Sequence, residues 1–203
     1  MALSCIQLAD NLGKKLEKML QNVPDRFLDT FEYTATGKNL THPIVLGYLS
    51  RLFWDYPGVQ FVGIDVRLNS GEGTKFQPDL AAFGKKLHPL FFLDYESPNS
   101  SDARIPGKDV DAYSAWREKT SATAPYVIVT TLPDAESPAW ELRWTSRDQY
   151  NEAFRGRGSE VVQNPYQFWY THYRSEFASR QMENVAMLNI SGKRVRRIIP
   201  EKT

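Results

Sequence analysis

Cysteine is almost missing from this chain: among 203 residues the sole thiol belongs to Cys5, so no internal disulfide can form. Long apolar runs are missing too. No stretch approaches the roughly eighteen consecutive apolar residues of a membrane span. The N-terminus has no basic segment followed by an apolar core and a cleavage site. These absences together read as a soluble protein of a reducing, cytoplasmic compartment. Charge of one sign is also scarce. The 25 basic and 24 acidic residues leave a formal charge of +1, so no global positive field exists and any nucleic-acid contact has to come from local patches. Histidine is sparse: His42, His88 and His172 fall in separate segments without metal-ligand spacing and read as structural or surface residues. No glycine-rich phosphate loop occurs, because Gly71-Glu72-Gly73 lacks the following helix and the remaining glycines. Internal repeats and low-complexity tracts are absent.

What is present suits one α/β domain over residues 1–203, with 41% hydrophobic and 13% aromatic residues to build a sizeable core. Leu8, Leu12, Leu16, Met19 and Leu20 fall at helical spacing and predict an amphipathic helix over Ile6 to Leu20. A short strand is read around Phe27 to Tyr33. A second helix is read from Thr41 and Pro43 to about Asp55, where Pro57-Gly58 ends it. Gln60 to Leu68 alternates polar and apolar residues as a half-buried strand does. It opens a three-stranded meander whose second strand carries Asp79 and whose third carries Asp94 and Glu96. After a loop rich in Ser, Asn and Pro, a helix from about Gly107 to Lys119 leads to a β-branched strand, Tyr126 to Thr131. A strand at Trp140 to Thr145, an aromatic helix at Pro165 to Arg180 and a last strand at Val185 to Ile190 or Arg194 to Ile199 complete the reading. The core of the domain is assigned to residues 41–145, and the aromatic helix and basic tail to 165–203.

The chemistry concentrates in two neighbouring segments, Phe76-Gln77-Pro78-Asp79-Leu80 and Leu93-Asp94-Tyr95-Glu96-Ser97-Pro98. Leu90-Phe91-Phe92-Leu93 is apolar without a break, as in a strand buried on both faces, and the carboxylates begin where that run ends. Side chains two apart on a strand share a face, so Asp94 and Glu96 project together while Tyr95 points away. A hairpin suffices to bring Asp79 alongside. Three carboxylates so placed are the raw material of a divalent-metal site. The duller alternatives are a turn role for Asp79 after Pro78, and solvated strand-end acids at Asp94 and Glu96.

A helix, a β-meander, a helix and a strand, with Pro78-Asp79 on the second meander strand and Asp94-Tyr95-Glu96 on the third, resemble the core of the PD-(D/E)xK nuclease superfamily, the restriction-endonuclease-like fold. Glu96 departs from the pattern by standing where that family places lysine. In some members the lysine has moved onto the following helix. The stretch from Glu96-Ser97-Pro98 through Asp102 to Lys108 and Tyr113 is similar to a large bacterial family of predicted restriction endonucleases with that migrated lysine. The resemblance spans Phe76 to Pro133.

The resemblance implies a mixed central sheet flanked by helices and an endonuclease that hydrolyses phosphodiester bonds in DNA. It implies Mg²⁺, with Mn²⁺ as substitute, held by Asp79, Asp94 and Glu96, with the Tyr95 carbonyl as a further oxygen. Mg²⁺ takes oxygen ligands at about 2.0 to 2.1 Å and keeps several waters. Lys108 then orients the attacking water or offsets phosphate charge; Lys108, Ala112 and Ala115 fall on one helix face. Asp102 and Tyr113 support the lysine or the loop, and Glu32 is the extra acid that some members donate from the N-terminal region. A homodimer follows by the same analogy, since cutting both strands of a duplex needs two sites. For DNA phosphates, Lys193, Arg194, Arg196 and Arg197 in the tail and Arg155 and Arg157 beside Gly156 are candidates, a solvated end being the plainer reading of the tail. The aromatic segment Tyr166 to Phe177 reads as core or dimer packing. The main rival is a catalytically inactive nuclease fold serving as a nucleic-acid-binding or assembly module, which Glu96 in the lysine position favours. A carboxylate-pair glycosidase, with acids about 5 to 9.5 Å apart, ranks last.

Overall fold

A computed structural model describes residues 4–32, 42–69, 75–96, 107–131 and 184–200. The first helix, α1, runs Cys5–Gln21. Its start is fixed by reciprocal bonds: the Ser4 hydroxyl accepts from the Gln7 amide at 3.2 Å, and the Gln7 side chain accepts from the Ser4 amide at 3.0 Å. Cys5, Leu8, Leu12, Leu16 and Leu20 form its buried stripe.

The segment read as a strand around Phe27 is instead a helix, α2, Asp25–Glu32. Pro24 precedes it, Asp25 lies in its first turn where the helix dipole favours an acid, and Phe27, Leu28 and Phe31 recur at helical rather than alternate spacing. The helix expected from Thr41 to Asp55 is two, α3 (His42–Leu49) and α4 (Arg51–Trp54). They part at Ser50, whose hydroxyl turns back to the Gly47 carbonyl at 2.8 Å.

Among the described residues six strands make one sheet in the order β1-β4-β5-β6-β7-β8, with β1 Phe61–Ile64, β4 Leu80–Phe83, β5 Pro89–Glu96, β6 Tyr126–Thr130, β7 Val185–Ser191 and β8 Arg194–Ile199. The strands β1, β4 and β5 are the expected antiparallel meander. Between them the chain leaves the sheet at Asp65, whose left-handed backbone (φ 52°) ends β1. It then forms a separate hairpin of β2 (Leu68–Asn69) and β3 (Lys75–Phe76). Beyond β5 the sheet turns parallel: β6 lies beside β5 and β7 beside β6, and α5 (Gly107–Thr120) fills the β5–β6 connection. The two alternative last strands both form, as an antiparallel hairpin turning at Gly192. The molecule is thus α/β with a mixed sheet flanked by helices.

Each face of the sheet has its own apolar cluster. Leu80, Phe91, Leu93, Tyr95, Val127 and Leu188 pack against α1, α3 and α4. On the other face Phe76, Phe92, Tyr126 and Ile128 pack against Val110, Tyr113 and Trp116 of α5. The segments read as a strand at Trp140 to Thr145, an aromatic helix at Pro165 to Arg180 and a loop with Arg155 and Arg157 lie outside the described residues. Among the described residues no helix is long and apolar enough to cross a membrane.

Candidate metal centre

The site lies where the antiparallel half of the sheet gives way to the parallel half, at the carboxyl end of β5. The β4–β5 ladder closes with Leu80 opposite Leu93. One step further, two carboxylates replace the missing ladder bonds. The Asp79 amide donates to Asp94 Oδ1 at 2.8 Å, and the Tyr95 amide donates to Asp79 Oδ2 at 2.7 Å. Pro78-Asp79 thus sits in the bend before β4 rather than within it, and its side chain is fixed by the neighbouring strand.

Asp94 is 5% exposed and accepts a second hydrogen bond from the Tyr126 hydroxyl, which reaches along β6 on the same face. Burial pushes the Asp94 carboxyl well above the ordinary carboxylate range, and the nearby Asp79 charge adds to this; the Tyr126 and Asp79 hydrogen bonds oppose it. The Tyr126 phenol is likewise driven up by burial and by the Asp94 charge, so it stays neutral and donates.

Glu96, two residues on, shares the face of Asp94 as the alternation requires. From the facing helix comes Asp109, in the first turn of α5. Asp94, Glu96 and Asp109 each place a carboxylate oxygen within 4.8 Å of the other two, with Asp94 buried and the others half-buried. An all-oxygen, carboxylate-rich set of this kind fits a hard divalent cation and fits zinc or copper poorly, since those ions favour nitrogen and sulfur ligands. The three residues could hold a metal ion. Gathering the Glu96 and Asp109 carboxylates around the buried Asp94 costs free energy that a cation would offset.

Asp79 faces the other way. Its Oδ1 lies 3.2 Å from His42 Nε2, and the His42 ring lies 5.9 Å from the Tyr95 ring. His42 is the first residue of α3 and lies half-buried against the site. Its imidazole is raised above its ordinary value by the hydrogen bond to Asp79, partly opposed by burial, with the charges of Asp79, Asp65 and Asp94 adding to the rise.

The other expected residues sort as follows. Lys108 is the second residue of α5, adjacent to Asp109, and its side chain lies outside the described residues, as does that of Glu32 at the end of α2. Asp102 also lies outside them. Val110, Tyr113 and Trp116 of α5 are buried against the sheet, and Ala112 packs against the same cluster. The Tyr113 hydroxyl donates to the Ala124 carbonyl at 2.8 Å, and its ring lies 5.1 Å from that of Tyr126, the residue that holds Asp94. The basic tail is largely a strand. Within it Arg197 bonds Asp10 of α1 at 2.7 Å and the Pro200 carbonyl, and Lys193 pairs with Asp25 at 3.1 Å. Arg194 and Arg196 are exposed.

Asp109, His42 and Tyr126 were the residues missed. A signal existed for Asp109 alone: it stands four residues before Tyr113, on the flank of the helix face that meets the sheet. Comparison of the chain with protein-family models, with curated proteins and with solved structures returns no match.

Proposed function

We propose that the protein is a divalent-cation-dependent endonuclease of the PD-(D/E)xK type, hydrolysing phosphodiester bonds in DNA with Mg²⁺ as the natural ion and working as a homodimer. The observation that carries this reading is the convergence of Asp94, Glu96 and Asp109 at the end of β5, with Asp79 bonded crosswise to Asp94. The succession of an antiparallel meander, a helix and a parallel strand supports it as well. So does the exposure of Arg194 and Arg196 on β8, where phosphates could be met.

A bound Mg²⁺ would supply charge neutralisation at the phosphate and a more acidic water. The chain's own contributions follow from the geometry. Asp94, Glu96 and Asp109 would hold the ion. Tyr126 fixes the Asp94 carboxylate from one side and the Asp79 amide from the other, so that its rotation is prevented before a substrate arrives. Lys108 would orient water or offset phosphate charge from the helix start.

One observation favours the rival reading, a nuclease fold without catalysis that binds nucleic acid or assembles with a partner. Both Asp79 oxygens are engaged, with Tyr95 and His42. Cleavage of supercoiled plasmid with Mg²⁺ or Mn²⁺ separates the two. The enzyme requires cutting that falls by about a hundredfold or more in Asp94→Ala, Asp109→Ala and Lys108→Ala, on the scale of losing a charge-stabilising group. Cutting that survives Asp94→Ala excludes this site, and a folded wild type that binds DNA without cutting it favours the rival.

A further inference from the structure

At the level of Glu96 the α5 face of the sheet changes character. Below that level, Asp94 apart, it is apolar or aromatic, with Phe92, Tyr126, Ile128 and Met187. At that level Glu96 of β5 lies beside Thr130 of β6, and Thr130 beside Asn189 of β7. Register partners on parallel strands share a face, and the reach of Tyr126 to Asp94 fixes which face: Tyr126, Ile128 and Thr130 alternate onto the side of Asp94 and Glu96. The row runs across the carboxyl ends of parallel strands, the place where open α/β sheets receive ligands.

Thr130 is wholly buried, and its hydroxyl has no hydrogen-bond partner among the described residues. A valine would fill the same space without a stranded polar atom. Native structures satisfy nearly all such atoms, and an exception signals strain or an absent ion or water. The backbone of Thr130 stands one strand spacing, about 4.8 Å, from that of Glu96.

We propose that Thr130 belongs to the cation site, its hydroxyl serving as a neutral oxygen donor to the shell of a hard divalent ion, directly or through one water. The inference rests on the reading of Asp94, Glu96 and Asp109 as cation-holding residues. The hydroxyl brings a ligand without adding a fourth negative charge to a site already crowded with three. It also explains why a β-branched strand that prefers valine at buried positions has threonine there.

The test uses the full chain, freed of metal by chelation, then titrated with Mn²⁺ by calorimetry and melted with and without Mn²⁺. Thr130→Val should melt above the wild type without metal, because the stranded hydroxyl is gone, yet bind Mn²⁺ about tenfold more weakly, the lower range for groups that support a metal. Thr130→Ser should restore wild-type affinity. Equal affinity in wild type and Thr130→Val overturns the inference. A metal-free melting point that falls in Thr130→Val, with weak binding that serine does not rescue, overturns it too, by assigning Thr130 to packing. A folded wild type that binds no Mn²⁺ defeats the acidic site itself, a result distinct from either.

Discussion

Asp94 is a carboxyl that resists ionising, and the consequence for stability has a definite sign. Its pKa in the folded protein is raised above the ordinary 3.8, so the folded form keeps a proton that the unfolded chain releases. The stability this gives is full below the ordinary value and is lost as pH rises from 3.8 towards the raised one. In the presence of a chelator the wild type should therefore lose melting temperature with rising pH relative to Asp94→Asn, whose amide does not titrate. Melting curves from acid to neutral pH check this, and parallel curves for the two proteins contradict it. Asp94 and Glu96 were legible because a strand's alternation places them together and because an unbroken apolar run precedes them. Tyr126 was not, since its contribution is the length of a phenol lying along a strand that reads as uniformly buried. Nor was His42, whose approach to Asp79 depends on how α3 lies across the sheet, a matter of tertiary packing that no local spacing encodes.

Among the elements, strongly periodic segments read true and ambiguous ones did not. The stripe of α1 and the apolar β5 and β6 carry enough repeats to fix their type. The segment Asp25–Glu32 has two aromatic residues and a threonine that favour a strand, and was turned into a helix by Pro24, by Asp25 in the first turn and by packing of Phe27 on Tyr48, ring centroids 5.1 Å apart. The long strand from Gln60 was cut short by a single residue, Asp65, in a conformation that aspartate tolerates. The start of α1 depends instead on a local device. Replacing Ser4 with alanine removes its hydroxyl from the Gln7 amide and should cost about 1 kcal/mol. Urea denaturation with an unchanged m-value measures it, and an unaltered midpoint would assign the cap no role.

For the whole molecule, the small net charge of +1 concentrates interest on where cations are free to meet a partner. Arg197 is engaged with Asp10 in a side chain 5% exposed, whereas Arg196, one position away, is exposed. If DNA lies along β8, Arg196→Ala should weaken binding about equally for all sequences and lower the salt slope of binding by about 1. Fluorescence anisotropy over a salt series reads both quantities, and an unchanged slope removes β8 from the interface. The division of labour within this strand was hidden in the sequence, where four basic residues in five positions look alike; alternation across the strand sends Arg197 to α1 and Arg196 to the opposite face.

The contact of Arg197 with Asp10 joins residues 187 positions apart, and α1 packs its stripe on β7 and β8. α1 therefore leaves the ribosome long before the strands on which it docks. Until those strands emerge, Leu8, Leu12 and Leu16 have no sheet to cover them at that end. Completion of this fold must wait for β7 and β8, and meanwhile the nascent protein carries an apolar helix uncovered at that end, the situation in which chaperones are recruited.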